Sequence, residues 1–168
     1  GHMIPAHALA GELMKRGHHV ALITDERGSR IPGLFDRVPV HVLPAGKMSK
    51  NPIAMIKALR SIMTGRAMAA RLYETVSPSA VVGFGGYPAL PAILAARKLR
   101  IPTVLHEQNA VLGRVNRLMA GRVDALATAY EQVDRVPAKA QNRIELVGNP
   151  VRDEILRLRA EPYPPLTD

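Results

Sequence analysis

Three short polar loops and one histidine carry residue types from which group-transfer chemistry could be built. Gly83 to Pro88 reads GFGGYP and joins a short apolar run to a helical pattern. Glycines at such a junction let backbone N–H groups close on an anion, and the helix N-terminus adds partial positive charge. The same residues also suit a tight turn that needs only positive φ, and both readings stand. His106-Glu107-Gln108-Asn109 follows the run TVL. Four such side chains can exchange hydrogen bonds with the hydroxyls or amides of a sugar or base, or simply cap and turn the chain before the next helix. Val147 to Arg152 reads VGNPVR, a strong turn signal followed by a permanently charged fork that suits phosphate or carboxylate, or is an ordinary surface arginine. His2 is the natural general base if the first loop opens onto the same crevice. His7, His18, His19, His41 and His106 compete for that role. None of the six has metal-type spacing with a carboxylate, so neither metal nor cofactor is expected.

Such loops need a scaffold that gathers them on one edge. Pro5 to Arg16 predicts a helix, with Pro at its start and Gly17 beyond its basic last turn. His19 to Thr24, Pro39 to Leu43, Ala80 to Phe84, Thr103 to His106, Ala125 to Ala129 and Ile144 to Val147 predict short buried strands. Helices are expected over 52 to 76, Pro88 to Lys98 and Gly113 to Ala120. In the long one, Met55, Ile56, Leu59, Ile62, Met63, Ala67 and Ala70 form one broad face, expected to cover the sheet. Arg66 falls inside that arc, which predicts a break near Thr64-Gly65. Strands alternating with helices imply an α/β fold, a doubly wound parallel sheet with ligands at the carboxyl ends of its strands. The chain opens directly on a helix, so a first strand is expected to be missing ahead of it. Residues 1 to 152 read as one domain and 153 to 168, ending in the Pro-rich EPYPPLTD, as a linker.

Composition narrows the partners. The 168 residues hold 23 Lys+Arg against 14 Asp+Glu, a net charge of +9, and no Cys. A disulfide framework and cysteine-ligated metal are thereby excluded, and no apolar run approaches the ~20 residues of a membrane span. No acid lies between Asp36 and Glu74, a stretch that contains Lys57, Arg60 and Arg71. These three fall on the second face of the long helix with Ile53 and Met68 beside them, as attachment to an anionic membrane surface would require.

The motifs GH-x-x-PA-x-ALA at 1 to 10, GFGGYPALPA at 83 to 92, IPTVLHEQNAVLGRVNR at 101 to 117 and VGNPVR at 147 to 152 cover nearly the whole chain in order. Together they resemble the MurG family, the peptidoglycan glycosyltransferases that add N-acetylglucosamine to undecaprenyl-diphospho-muramoylpentapeptide, turning lipid I into lipid II. The resemblance implies the N-terminal, acceptor-binding, Rossmann-like domain of a two-domain GT-B enzyme. It also implies that the family's first glycine loop, GGTGGH, runs into Gly1 and His2. By the same resemblance, His2 is the base that deprotonates the muramoyl 4-hydroxyl in an inverting transfer. Gly1, Asn109 and Arg152 contact UDP-N-acetylglucosamine. Gly85, Gly86 and Tyr87 cradle the acceptor diphosphate, and His106, Glu107 and Gln108 line the same cleft. Implied partners are UDP-N-acetylglucosamine, lipid I, the cytoplasmic face of the bacterial inner membrane, and proteins of cell-wall synthesis or division. The chain by itself is expected to be inactive.

Two other readings are weighed against this one. A related GT-B glycosyltransferase with another acceptor shares the same residue types. A nucleotide- or nucleic-acid-binding module is permitted by the charge, but 2 Phe, 4 Tyr and no Trp leave little for base stacking, and no G-x-G-x-x-G fingerprint is present. No nucleic-acid partner is expected.

Overall fold

The computed structural model describes residues 2–31, 33, 35–46, 51–159 and 161–162. Gly1, assigned above to the donor, and most of the EPYPPLTD tail lie outside the described residues.

Helix α1 (Met3–Lys15) is rich in Ala and Leu and stops at Gly17, whose φ of 84° lets the chain turn away. Strands β1 (Leu22–Thr24) and β2 (Val40–Val42) pair in parallel, with the short helix α2 (Glu26–Ser29) between them. Helix α3 (Pro52–Val76) follows, then β3 (Val81–Gly83), α4 (Ala89–Lys98), β4 (Thr103–Glu107), α5 (Arg114–Met119), β5 (Ala125–Thr128), β6 (Ile144–Leu146) and α6 (Asp153–Leu158). Strands β3-β4-β5-β6 make a second parallel sheet in that order. The alternation expected from the sequence is present, although most strands are shorter than their apolar runs.

The single expected sheet is found as two pieces, β1-β2 and β3-β4-β5-β6, with no strand among the described residues joining them. Both pieces rest on α4. Ala92, Ala95 and Ala96 of that helix are buried in one cluster with Leu43, and Ile23 of β1 and Val81 of β3 pack against it. The other side of α4 supplies Leu90 and Ile93 to the main core with Leu105, Leu126, Val115 and Met119. A doubly wound α/β topology results, and the loops after β3, β4 and β6 emerge at the carboxyl ends of the strands.

Helix α3 departs from its sequence reading in two ways. It runs unbroken from an Asn51 cap, whose side chain accepts from the Ile53 and Ala54 N–H groups, to Ser77. Gly65 does not break it; a Cβ there would lie 2.3 Å from the Pro44 carbonyl oxygen and 3.0 Å from Pro91 Cβ, so glycine serves close approach. The buried line is Ala58, Ile62, Gly65, Ala69 and Tyr73, whereas Ile56, Leu59, Met63 and Ala67, expected inward, are exposed. Small residues let two backbones approach, and the contact so formed turns the larger apolar side chains outward.

The segment read as a linker opens on helix α6. Lys15 of α1 and Asp153 form an ion pair that ties the two helices together and holds the Asp153 carboxyl below its usual range. No helix among the described residues is long and apolar enough to cross a membrane.

Candidate functional site

The loop after β3 is shaped by two consecutive glycines, Gly85 at φ 89° and Gly86 at φ 74°. Two successive residues of positive φ turn the chain sharply between β3 and α4, a conformation that glycine adopts without steric cost. The chain then enters α4, so the helix N-terminus faces the same region. Tyr87 is half-buried against the main core and anchors the loop from beneath.

The loop after β4 is braced from within by Glu107. Its side chain is 1% exposed, and its carboxylate accepts four hydrogen bonds. Oε1 takes the Asn109 backbone N–H at 3.1 Å and Asn109 Nδ2 at 2.8 Å. Oε2 takes the Gly113 N–H at 2.8 Å and Asn116 Nδ2 at 3.0 Å. Those bonds satisfy a buried charge without a cation and close the turn between β4 and α5. The carboxylate that the motif placed in the cleft therefore holds the loop in shape, while Asn109 itself stays exposed.

The other two polar residues of this loop connect all the remaining segments. His106 is buried, lies 5.4 Å from the Phe84 ring, and makes a 3.0 Å hydrogen bond through Nε2 to the Gly148 carbonyl. Gln108 Nε2 donates to His106 Nδ1 at 3.0 Å and to the His106 carbonyl at 2.8 Å. Gln108 Oε1 lies 2.9 Å from His2 Nδ1, across 106 residues of sequence. The His2 ring in turn lies over the glycine loop. A Cβ on Gly85 would sit 3.3 Å from His2 Cε1, and one on Gly86 3.4 Å from His2 Cδ2. His2 precedes α1 and is exposed. The start of α1 and the loops after β3, β4 and β6 are thus joined through two histidines, His2 and His106, bridged by Gln108.

Arg152 is the N-terminal flanking residue of α6, part-exposed, with an ion pair to Glu154 at 3.9 Å. A contact of that length between exposed groups contributes little, which leaves the guanidinium available to an anion. Sequence reasoning missed two participants. Asn116 is 1% exposed, bonds both the His106 carbonyl and Glu107, and leaves its Oδ1 without a partner beside the slot that a Gly85 Cβ would fill. A polar residue between the buried Val115 and Met119 of α5 was the signal for it. The Gly148 carbonyl, being backbone, had none.

Elsewhere, Ile53, Lys57, Arg60, Met68 and Arg71, expected from the sequence to face a membrane surface, are all exposed on α3, and Ile56, Leu59 and Met63 join them. A groove of about 420 Å³ runs between α1, at Ala8, Leu9 and Glu12, and the Val82, Val104 and Ala127 face of the sheet.

Comparison with known proteins gives a consistent result. Residues 1–128 match the model of the glycosyltransferase family 28 N-terminal domain. The UDP-N-acetylglucosamine–N-acetylmuramyl-(pentapeptide) pyrophosphoryl-undecaprenol N-acetylglucosamine transferase of Novosphingobium aromaticivorans is 65% identical over 168 residues, the whole of this chain and 43% of that protein. Its namesake in Zymomonas mobilis is 64% identical over the same span and the same share. A crystal structure of Acinetobacter baumannii MurG superposes with a TM-score of 0.70 at 28% identity, covering 92% of this chain and 43% of that one. The chain spans less than half the length of the curated relatives it matches.

Proposed function

The chain belongs to the glycosyltransferase family 28 N-terminal domains, and from that membership we propose that it is the acceptor-side part of an enzyme that makes lipid II. In this reading N-acetylglucosamine passes from UDP-N-acetylglucosamine to the 4-hydroxyl of undecaprenyl-diphospho-muramoylpentapeptide. The observation that carries it is the placement of His2 over the Gly85-Gly86 turn, held by Gln108.

The chemistry follows from that geometry. The muramoyl O4 attacks the anomeric carbon from the side opposite the UDP oxygen; the new C1–O4 bond forms as the old C1–O bond breaks, inverting the anomeric centre. His2 Nε2 takes the hydroxyl proton, and UDP leaves with the electron pair. The Gly85-Gly86 turn and the positive end of the α4 dipole meet the lipid diphosphate, so that lipid charge is met without a metal; the Ala89 and Leu90 N–H groups are already taken by the Gly86 and Tyr87 carbonyls. Asn109 and Arg152 face the donor, where a cation eases the charge growing on the departing diphosphate.

Membrane attachment is the second part of the proposal. Ile53, Ile56, Leu59 and Met63, 67%, 53%, 50% and 55% exposed, recur every three or four residues on the solvent side of α3, with Lys57, Arg60 and Arg71 among them. An apolar strip with interspersed cations suits the cytoplasmic leaflet, where each Lys or Arg is worth about 1 kcal/mol.

The test is an assay of the full-length protein with UDP-N-acetylglucosamine and a lipid I analogue. His2→Ala should lower kcat by about 10²- to 10⁴-fold, the usual contribution of a positioned base, and the isolated chain should show no turnover. Activity in the isolated chain would refute the division of labour. Sedimentation with anionic vesicles should be lost in Lys57→Glu/Arg60→Glu and at high salt; equal binding to neutral vesicles would refute the electrostatic part.

A further inference from the structure

We propose that Gln108 is a positioning residue that sets the tautomer of His2, presenting a bare Nε2 to the substrate. The inference rests on His2 being the base proposed above.

Every role in the chain of contacts is forced by its neighbour. The Gly148 carbonyl can only accept, so His106 Nε2 carries a hydrogen and donates to it at 3.0 Å. In the neutral ring His106 Nδ1 is then a lone pair, which accepts from Gln108 Nε2 at 3.0 Å. The same Gln108 nitrogen donates to the His106 carbonyl at 2.8 Å. Turning the amide over would set Oε1 against two acceptors, so its orientation is fixed from both sides. Gln108 Oε1 is left facing His2 Nδ1 at 2.9 Å, and a carbonyl oxygen requires a hydrogen there. A neutral His2 with its hydrogen on Nδ1 has its lone pair on Nε2.

The bond persists through the reaction. When Nε2 takes a proton, Nδ1–H still donates to Gln108, so the ring need not move between states. The buried His106, in tilted ring contact with Phe84, makes the far end of the chain rigid. Gly85 and Gly86 leave room for the ring, since a Cβ on either would press on it. Without Gln108 the two tautomers interconvert freely, and the ring of an exposed residue at the start of α1 is free to rotate.

The full-length enzyme provides the test. Gln108→Leu should lower kcat about 10- to 100-fold, a part of what a positioned base supplies, with KM for both substrates within about threefold. Gln108→Glu keeps an acceptor for His2 Nδ1 but sets its second oxygen against the His106 carbonyl and Nδ1, and should recover part of the kcat that Leu loses. If Gln108 only braced its loop through His106, Glu would be as damaging as Leu. Nitrogen NMR of 15N-histidine-labelled enzyme should show hydrogen on Nδ1 and none on Nε2 of neutral His2, a pattern lost in Gln108→Leu. Wild-type enzyme with the hydrogen on Nε2, or Gln108→Leu with undiminished kcat, overturns the inference. His2→Ala separates the two claims: an active His2→Ala removes the base assignment, whereas an inactive one beside a fully active Gln108→Leu removes only the tautomer control.

Discussion

Replacing Glu107 by Gln tests whether this carboxylate holds the loop or serves the ligand. The two side chains have the same shape, but only the carboxylate can accept on both arms. Oε1 receives a backbone N–H from Asn109 and Oε2 one from Gly113. Whichever way a Gln amide sits, its NH2 meets one of these backbone donors, which cannot turn away. A buried donor left unmet costs about 1–3 kcal/mol, and the loss of charge from the remaining bonds adds about 1 kcal/mol. The sum, about 2–4 kcal/mol, is a large share of a typical domain stability of about 5–15 kcal/mol. At about 2–4 °C per kcal/mol for a chain of this size, Tm should fall by roughly 5–15 °C. Urea and thermal unfolding followed by circular dichroism measure this directly. Hydrogen exchange should localise the damage to the amides of Asn109 and Gly113. Glu107→Gln within about 0.5 kcal/mol of wild type, the range of ordinary surface substitutions, would refute the bracing role.

Two further substitutions probe the packing and the charge elsewhere. Gly65→Ala should destabilise by about 1–3 kcal/mol despite the ~1 kcal/mol that Ala gains in a helix interior, because its Cβ would meet the Pro44 carbonyl and Pro91; stabilisation in a urea titration would show that α3 has room to shift. Asp124 accepts from the Thr103 N–H at 2.7 Å and Thr103 Oγ1 at 3.0 Å, the backbone bond foremost in holding its carboxyl below the ordinary value of 3.8. A carboxyl lowered by folding adds stability above its unfolded value and loses it as pH falls through the folded one. Asp124→Asn should therefore be less stable than wild type at neutral pH, with the gap closing in strong acid; a gap independent of pH would refute this linkage.

Much of the scaffold was legible because its signals are local. Pro52 after Asn51, Gly17 after a basic turn, and short β-branched runs bounded by Gly and Pro mark element ends whatever the rest of the chain does. The three loops at strand ends were found in the same way, and they do converge. The face of α3 was misread because periodicity weighs side chains by hydrophobicity. Against α4 the deciding quantity was size: Gly65 and Ala69 allow an approach that Leu59 and Met63 would prevent.

The sequence by itself determined the order of elements, the presence of a glycine-rich turn over Gly83 to Pro88, and the residue types at the carboxyl ends of the strands. Only the tertiary structure decided which of those residues look outward. Glu107 and Gln108 are adjacent and equally polar, yet one turns in to close its own loop and the other reaches His2, 106 positions away. The physical reason is that hydrogen-bond partners are assigned by proximity in space. A run such as HEQN declares what its side chains can donate and accept, while the fold supplies the carbonyl of Gly148, the amide of Gly113 and the ring of His2 that settle what each one does.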